Sequence, residues 1–312
     1  MPYSMTLTYK DEDSAIHKIN VSCKLAWLSG VMILSLIFDN PIYLLLLFLS
    51  TLPIVTLAKI FSRWLSFMKF TLLLCPIIIL INILFSNVGE HVVYRVPLQI
   101  PFIGYLAITL ESIFFGVAMS LRLCVIMSAF TILTFTIHPD DLMLQMIKLK
   151  VPYRSVMVVS LSTRFFPTLL RDVDILMDVQ RSRGVELDKE GVMRKIRNRM
   201  PILIALLSNS LERAIQIAEA MEARAFGSKE KRTAYKKIDM SKLDYVILAF
   251  MFSPLIFGVL IRLLDYGSYR YYPALQAVRM DGVEPWVILA LSLLLFSLAF
   301  SSILYRGIRQ FD

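Results

Sequence analysis

Long unbroken apolar stretches occupy both ends of this chain, while its centre carries apolar residues at helical spacing. The first stretch, Lys24 to Phe38, ends at Asp39-Asn40-Pro41, a turn signature because Asn-Pro favours turn initiation. A second runs from Ile42 to Ala58, a third from Phe70 to Phe85 with Pro76 inside it, and a fourth from Ile103 to Phe135. Tyr245 to Leu264 and Trp286 to Tyr305 complete the set. A helix that crosses a bilayer needs about 20 mostly apolar residues, so the pattern predicts about six transmembrane helices. The first is short, and the fourth is long enough to tilt or to continue beyond the bilayer. Ser86 to Pro101 reads as a loop.

Residues 138–243 follow a different rule. His138-Pro139-Asp140-Asp141 is a helix start, with proline at the first helical position and acids in the first turn. That helix should end near Lys150, before Val151-Pro152. A longer one follows to about Arg183, with Val158, Leu161, Phe165, Leu169, Val173 and Leu176 on one face. Arg164, Arg171, Asp174, Asp178 and Arg181 occupy the other, and Pro167 should bend the helix. Gly184 is placed to terminate it. A basic stretch, Arg194 to Arg199, leads to Pro201 and a last helix running to about Ala225. There Leu203, Leu207, Leu211, Ala214, Ala218 and Met221 form the apolar stripe, opposite Asn209, Glu212, Arg213, Gln216 and Glu219. Ile202 to Leu207 is apolar all round and needs cover on every side.

Composition agrees with this reading. Apolar residues are 57% and charged residues 18%, against roughly 45–50% and about 25% in soluble domains. The net charge of +9 could indicate nucleic acid, but position decides: some 20 of the 33 Lys and Arg residues lie between His138 and Lys242. That asymmetry is what the positive-inside rule produces. It places residues 138–243 in the cytoplasm, between transmembrane parts at 1–137 and 244–312, with both termini cytoplasmic. The tyrosines 266, 269, 271 and 272 then suit an outer interface. The polar N-terminus and the lack of a small-residue cleavage site predict no cleavable signal peptide.

Candidate chemistry is sparse. There is no GxxxxGK[ST] loop, so no nucleotide hydrolysis is expected of the chain itself. Neither the three histidines nor the three cysteines have metal-ligand spacing. Cys23, Cys75 and Cys124 show no pairing pattern and read as small buried hydrophobes. No cofactor is called for. Glu111 and Arg122, eleven residues apart in the fourth span, share a helix face. They read as helix-packing charges in preference to a substrate path, and no inverted repeat of the transporter kind is visible.

What distinguishes the central arm is a repeated ending: Gln180-Arg181-Ser182-Arg183-Gly184 and Glu222-Ala223-Arg224-Ala225-Phe226-Gly227. In each, an arginine between small residues closes a helix. Small neighbours admit a partner, and the guanidinium offers a rigid fork to a carboxylate. A cation at a helix C-terminus also interacts favourably with the helix dipole, so a purely structural cap accounts for one such motif as well as docking does. Two on one arm favour docking.

These triplets resemble the paired Ala-Arg-Gly/Ser-like signatures of the T component, the transmembrane coupling subunit, of energy-coupling factor (ECF) ABC transporters. Further similarity lies in Ser14-x-x-His17…Lys24-Leu25, His138-Pro139-Asp140-Asp141-Leu142, Arg164-Phe165-Phe166-Pro167 and Arg232-Thr233-x-Tyr235. Val21 stands where proline is usual, Ser182 replaces alanine and Ala225 replaces glycine; the last span and its outer loop look longer than in many members.

The resemblance implies an all-α membrane protein that is not an enzyme. It would join two cytoplasmic ABC ATPases to a membrane-embedded substrate-binding S component for vitamin or metal-ion uptake. Arg183 and Arg224, with Ser182, Gly184, Ala223 and Ala225, would dock the ATPases. Leu161, Phe165, Leu169, Leu203, Leu207 and Leu211 would carry motion to the S component. A membrane-embedded enzyme would need a polar cluster facing a cavity. A substrate-conducting permease would need converging polar groups among its spans, and would not need a basic arm.

Overall fold

Asparagine, threonine and serine side chains cap the starts of several helices. The structure, a computed structural model, describes residues 14–86, 89–100, 104–184, 192–228, 240–276, 284–296 and 299. In chain order its elements are α1 (Ala15–Lys18), α2 (Val21–Ile37), α3 (Pro41–Leu57), α4 (Phe61–Phe85), β1 (Val92–Ile100), β2 (Gly104–Thr109), α5 (Leu110–Thr136), α6 (Pro139–Lys148), α7 (Tyr153–Ser182), α8 (Val192–Ala223), α9 (Lys242–Leu263) and α10 (Glu284–Leu295). Asn20, Asn40 and Thr109 each accept a backbone N–H in the first turn of α2, α3 and α5. Ser241 and Asp244 form a reciprocal capping box at α9. Such caps are each worth about 1 kcal/mol.

The chain divides into two compact units, residues 1–142 with 238–312, and residues 143–237. In the first unit α5 is central: α2, α3 and α4 all pack on it, and α9 packs on α2. The α4–α5 approach is close at Gly116, where a Cβ would come within 3.0 Å of the Ile79 Cα. Buried hydroxyls tie three helices together. Trp64 Nε1 donates to Ser128 Oγ (2.8 Å), which donates to Thr51 Oγ1 (2.8 Å), which in turn reaches the Phe48 carbonyl (2.7 Å). Short polar side chains commonly link helices in this way where no water is at hand. Three helical segments, Phe61–Phe85, Leu110–Thr136 and Asp244–Leu263, are long and apolar enough to cross a membrane. The apolar helices α2, α3 and α10 are shorter as described. The expected last span runs to Tyr305, and its final turns lie outside the described residues.

Three boundaries depart from the sequence reading. The fourth apolar run is not one helix: its first residues form β2, paired antiparallel with β1 in the segment read as a loop. The run is continuous in hydropathy, so only the Thr109 cap reveals where the helix begins. The third helix starts at Phe61, before the expected Phe70. Arg63 and Lys69 ride on it, with the Arg63 guanidinium 5.6 Å from the Phe135 ring centroid. The last arm helix starts at Val192 and carries Pro201 inside it, where proline removes one helical bond without ending the helix.

Charges at the Asp39 end of this unit link three helices. Asp39 receives Arg122 on one oxygen and Arg262 on the other, each at 3.1 Å. Tyr271 Oη donates to the Asp39 carbonyl at 2.7 Å, and burial pushes this phenol up from its ordinary value, which keeps it a donor. Glu111, fully buried, meets His91 at 2.8 Å. Glu111 and Arg122 thus serve different contacts, one at the base of the hairpin and one between helices. The cysteines are free, and Cys23 and Cys124 are buried. Cys75 and Cys124 come within 3.9 Å of each other, a proximity their spacing does not reveal.

Candidate functional site

Two long amphipathic helices, α7 and α8, make up most of the second unit. Asp172 of α7 and Arg213 of α8 are joined by an ion pair at 2.9 Å. Beside it lies a cleft of about 530 Å³, lined by α7 residues from Met157 to Leu169 and α8 residues from Ser210 to Met221. Residues before Asp172 therefore face residues around and beyond Arg213, which makes the pair antiparallel.

Leu161, Phe165 and Leu169 all line this cleft. From α8, Ala214, Ala218 and Met221 join them, as the apolar stripe predicts. The other half of that stripe does not. Leu203, Leu207 and Leu211 are 59%, 61% and 58% exposed, alongside the exposed Ile204 and Ile215. Both helices leave further large apolar side chains uncovered, among them Val158, Phe166 and Ile175 on α7. Arg213 belongs with the cleft and not with the outer polar face, a placement its neighbours in sequence do not signal.

The two arginine triplets adopt the same backbone geometry. Arg183 is the C-cap of α7, and Gly184 follows it at φ +81°. Arg224 closes α8, and Ala225 follows at φ +50°. At the second end, Ala225 N–H donates to the Glu222 carbonyl and Phe226 N–H to that of Met221, the bond pattern of a Schellman cap. The position after each arginine is thus left-handed, which explains why glycine suits it and why Ala225 carries strain. Ser182 Oγ bonds back to the Asp178 carbonyl at 3.0 Å. Residues 182–184 and 223–225 are all exposed. Among the described residues neither Arg183 nor Arg224 has a side-chain hydrogen bond or ion pair, whereas Arg181 pairs with Asp178.

Spacing adds a further regularity. Arg183 lies eleven residues beyond Asp172, and Arg224 eleven beyond Arg213. Eleven residues are three turns, about 16 Å of helix. Because the helices run antiparallel, the two arginines sit at opposite ends of the pair. The Arg232-Thr233-x-Tyr235 motif lies outside the described residues.

Comparison with known proteins agrees over most of the chain. The sequence model of the family described as CbiQ, cobalt transport protein, matches residues 12–235. The energy-coupling factor transporter transmembrane protein EcfT of Lactococcus lactis is 30% identical over 249 residues, covering 77% of this chain and 91% of that one. Its counterpart in Streptococcus thermophilus is 32% identical over 242 residues, covering 72% and 86%. That of Bacillus subtilis is 26% identical over 249 residues, covering 77% and 91%.

Proposed function

The chain belongs to the CbiQ family of cobalt transport proteins, and from that premise we propose that it is the coupling subunit of an energy-coupling factor ABC importer. In this reading it is a multi-pass cell-membrane protein with both termini and residues 138–243 in the cytoplasm. It performs no catalysis and carries the motion of two ATPases to a membrane-embedded S component that binds a vitamin or a metal ion. One observation supports this above the others: two arginines with no side-chain partner among the described residues, each closing a helix between small residues, stand equally far from the ion pair that joins their helices. A structural cap needs no such symmetry, whereas two like partners do.

Each guanidinium is a fork suited to a carboxylate in a groove of one ATPase, and the small flanking residues let that groove close around the helix end. Glycine or alanine after the arginine turns the chain away, leaving the fork in front. ATP-driven closure of the ATPases would then move both helix ends at once. The uncovered apolar residues, Leu203, Leu207 and Leu211 with the cleft side chains Leu161, Phe165 and Leu169, offer the S component its surface. Burial of such residues is worth roughly 25 cal/mol per Å² of apolar area, which has to offset the ordering cost of association.

Changing Arg183 and Arg224 to glutamate, singly and together, tests the reading. Each single change should weaken co-purification of one ATPase, and the double change should abolish both co-purification and uptake while the chain still folds. A double variant that keeps its ATPases and transports normally would overturn it.

A further inference from the structure

The Ser14-x-x-His17…Lys24 signature has no place in the docking reading, yet it grips the end of α5, just ahead of residue 138. Helix α5 ends at Thr136, and the last carbonyls of any helix lack partners within it. The Ile137 N–H takes that of Leu133 at 3.1 Å. Two others are taken by side chains from more than a hundred residues upstream. Lys24 Nζ donates to the Thr136 carbonyl at 2.8 Å and to the His17 carbonyl at 3.1 Å. His17 Nε2 meets the Phe135 carbonyl at 3.2 Å. A carbonyl only accepts, so His17 carries its proton on Nε2, and Ser14 Oγ, 2.6 Å from Nδ1, orients the ring.

Water could satisfy an exposed helix end at little cost. Here the end is enclosed: Lys24 is 4% exposed, and the cavity around it, lined by Ile16, Trp27 and Leu133 among others, measures about 10 Å³, the lower limit for a single water. Burying a lysine head to cap a helix is costly unless its hydrogen bonds are fixed, and these are.

Immediately beyond the capped carbonyls the helix breaks. Ile137 is extended, at φ −114° and ψ 127°, and α6 starts afresh with its first N–H groups turned to His138. The break is two residues long, and the signature holds its upstream side.

We infer that Ser14, His17 and Lys24 form a fulcrum: they lock the end of α5 so that movement of the arm turns about Ile137–His138 and is not lost in fraying of α5. The inference rests on the coupling function proposed above. Lys24 and His17 are positioning residues that touch neither ATPase nor substrate.

The test uses the complex of this chain with its ATPases and S component. Lys24→Met keeps the aliphatic stem and removes the donor. Hydrogen exchange read by mass spectrometry should rise about tenfold or more across residues 133–142, and stay unchanged across 116–125. Nitroxides attached through non-natural amino acids at Val117 and Val159 should report a distance that shifts on adding Mg-ATP in the parent. In Lys24→Met that distribution should be at least twofold broader and show no shift, with the ATPases still bound. Lys24→Arg should restore the shift, and His17→Ala should act in the same direction more weakly.

Unchanged exchange at 133–142 would show that no clamp exists. Raised exchange with an intact ATP-driven shift would reduce the clamp to a local cap and overturn the fulcrum. If Lys24→Met raises exchange across 116–125 as well, its fold is lost and His17→Ala decides by the same two readings. Failure of the coupling reading would look different: ATPases retained by the Arg183, Arg224 double variant, with the exchange result at 133–142 untouched.

Discussion

The two units of this protein treat their side chains in opposite ways. In the first, polar groups find partners within the unit: half-buried Asp39 holds two arginines, Trp64, Ser128 and Thr51 form a buried chain of donors, and Lys24 caps a helix 112 residues away. In the second, apolar groups are left uncovered on helices that are not among the membrane-length apolar ones, and α7 and α8 are joined by a part-buried ion pair beside an open cleft. A helix with no cover for its leucines is unfinished, while a helix with its charges satisfied has no further need of a partner. The contrast separates a frame that holds its shape from a surface that, in the coupling role proposed above, other proteins would complete.

Removing the charge at the Asp39 end of the frame should have the largest effect on stability. Asp39→Leu strands Arg122 and Arg262, a loss of about 2–4 kcal/mol after allowing for partial exposure. The melting temperature of the purified chain in detergent should fall clearly, and an unchanged value would deny Asp39 its role. The unfinished surface should respond the other way round. Leu207→Glu should shift stability by no more than about 0.5 kcal/mol, as surface changes usually do, yet lower S-component co-purification about tenfold. If S-component binding is normal, that face is not the one used.

The difference between the units also governs what the sequence could reveal. Apolar runs announce the spans, because burial in lipid is a local matter. The two arginine triplets are legible for the same reason, since each is a local pattern at a helix end. Long-range pairings leave no such trace. Asp39 reads as a turn residue, and only the fold brings Arg122 and Arg262 to it. The hairpin β1–β2 merges with flanking apolar residues, and Arg213 looks like any polar residue on the outer face until Asp172 is opposite. The stripe on α8 is correct as a pattern, but sequence cannot say that its Leu203–Leu211 half faces away from α7.

The smallest predicted effect concerns the two arginine ends themselves. Gly184 accepts its left-handed backbone freely, whereas Ala225 does so at a cost. Ala225→Gly should stabilise the end of α8 by about 0.5–1 kcal/mol, seen as slower hydrogen exchange across residues 221–228 and no change at 180–184. Equal slowing at both ends, or none, would remove the asymmetry.

The equal spacing of Arg183 and Arg224 from the Asp172–Arg213 pair has a mechanical meaning. In the coupling role proposed above, the helix pair would be a beam loaded at two points equidistant from that ion pair. Pushes in the same direction at both ends exert no net torque and drive the beam as a whole, whereas a push at one end alone tilts it. In the coupling role proposed above, such a beam would answer in one way to two ATPases acting together and in another to one acting alone.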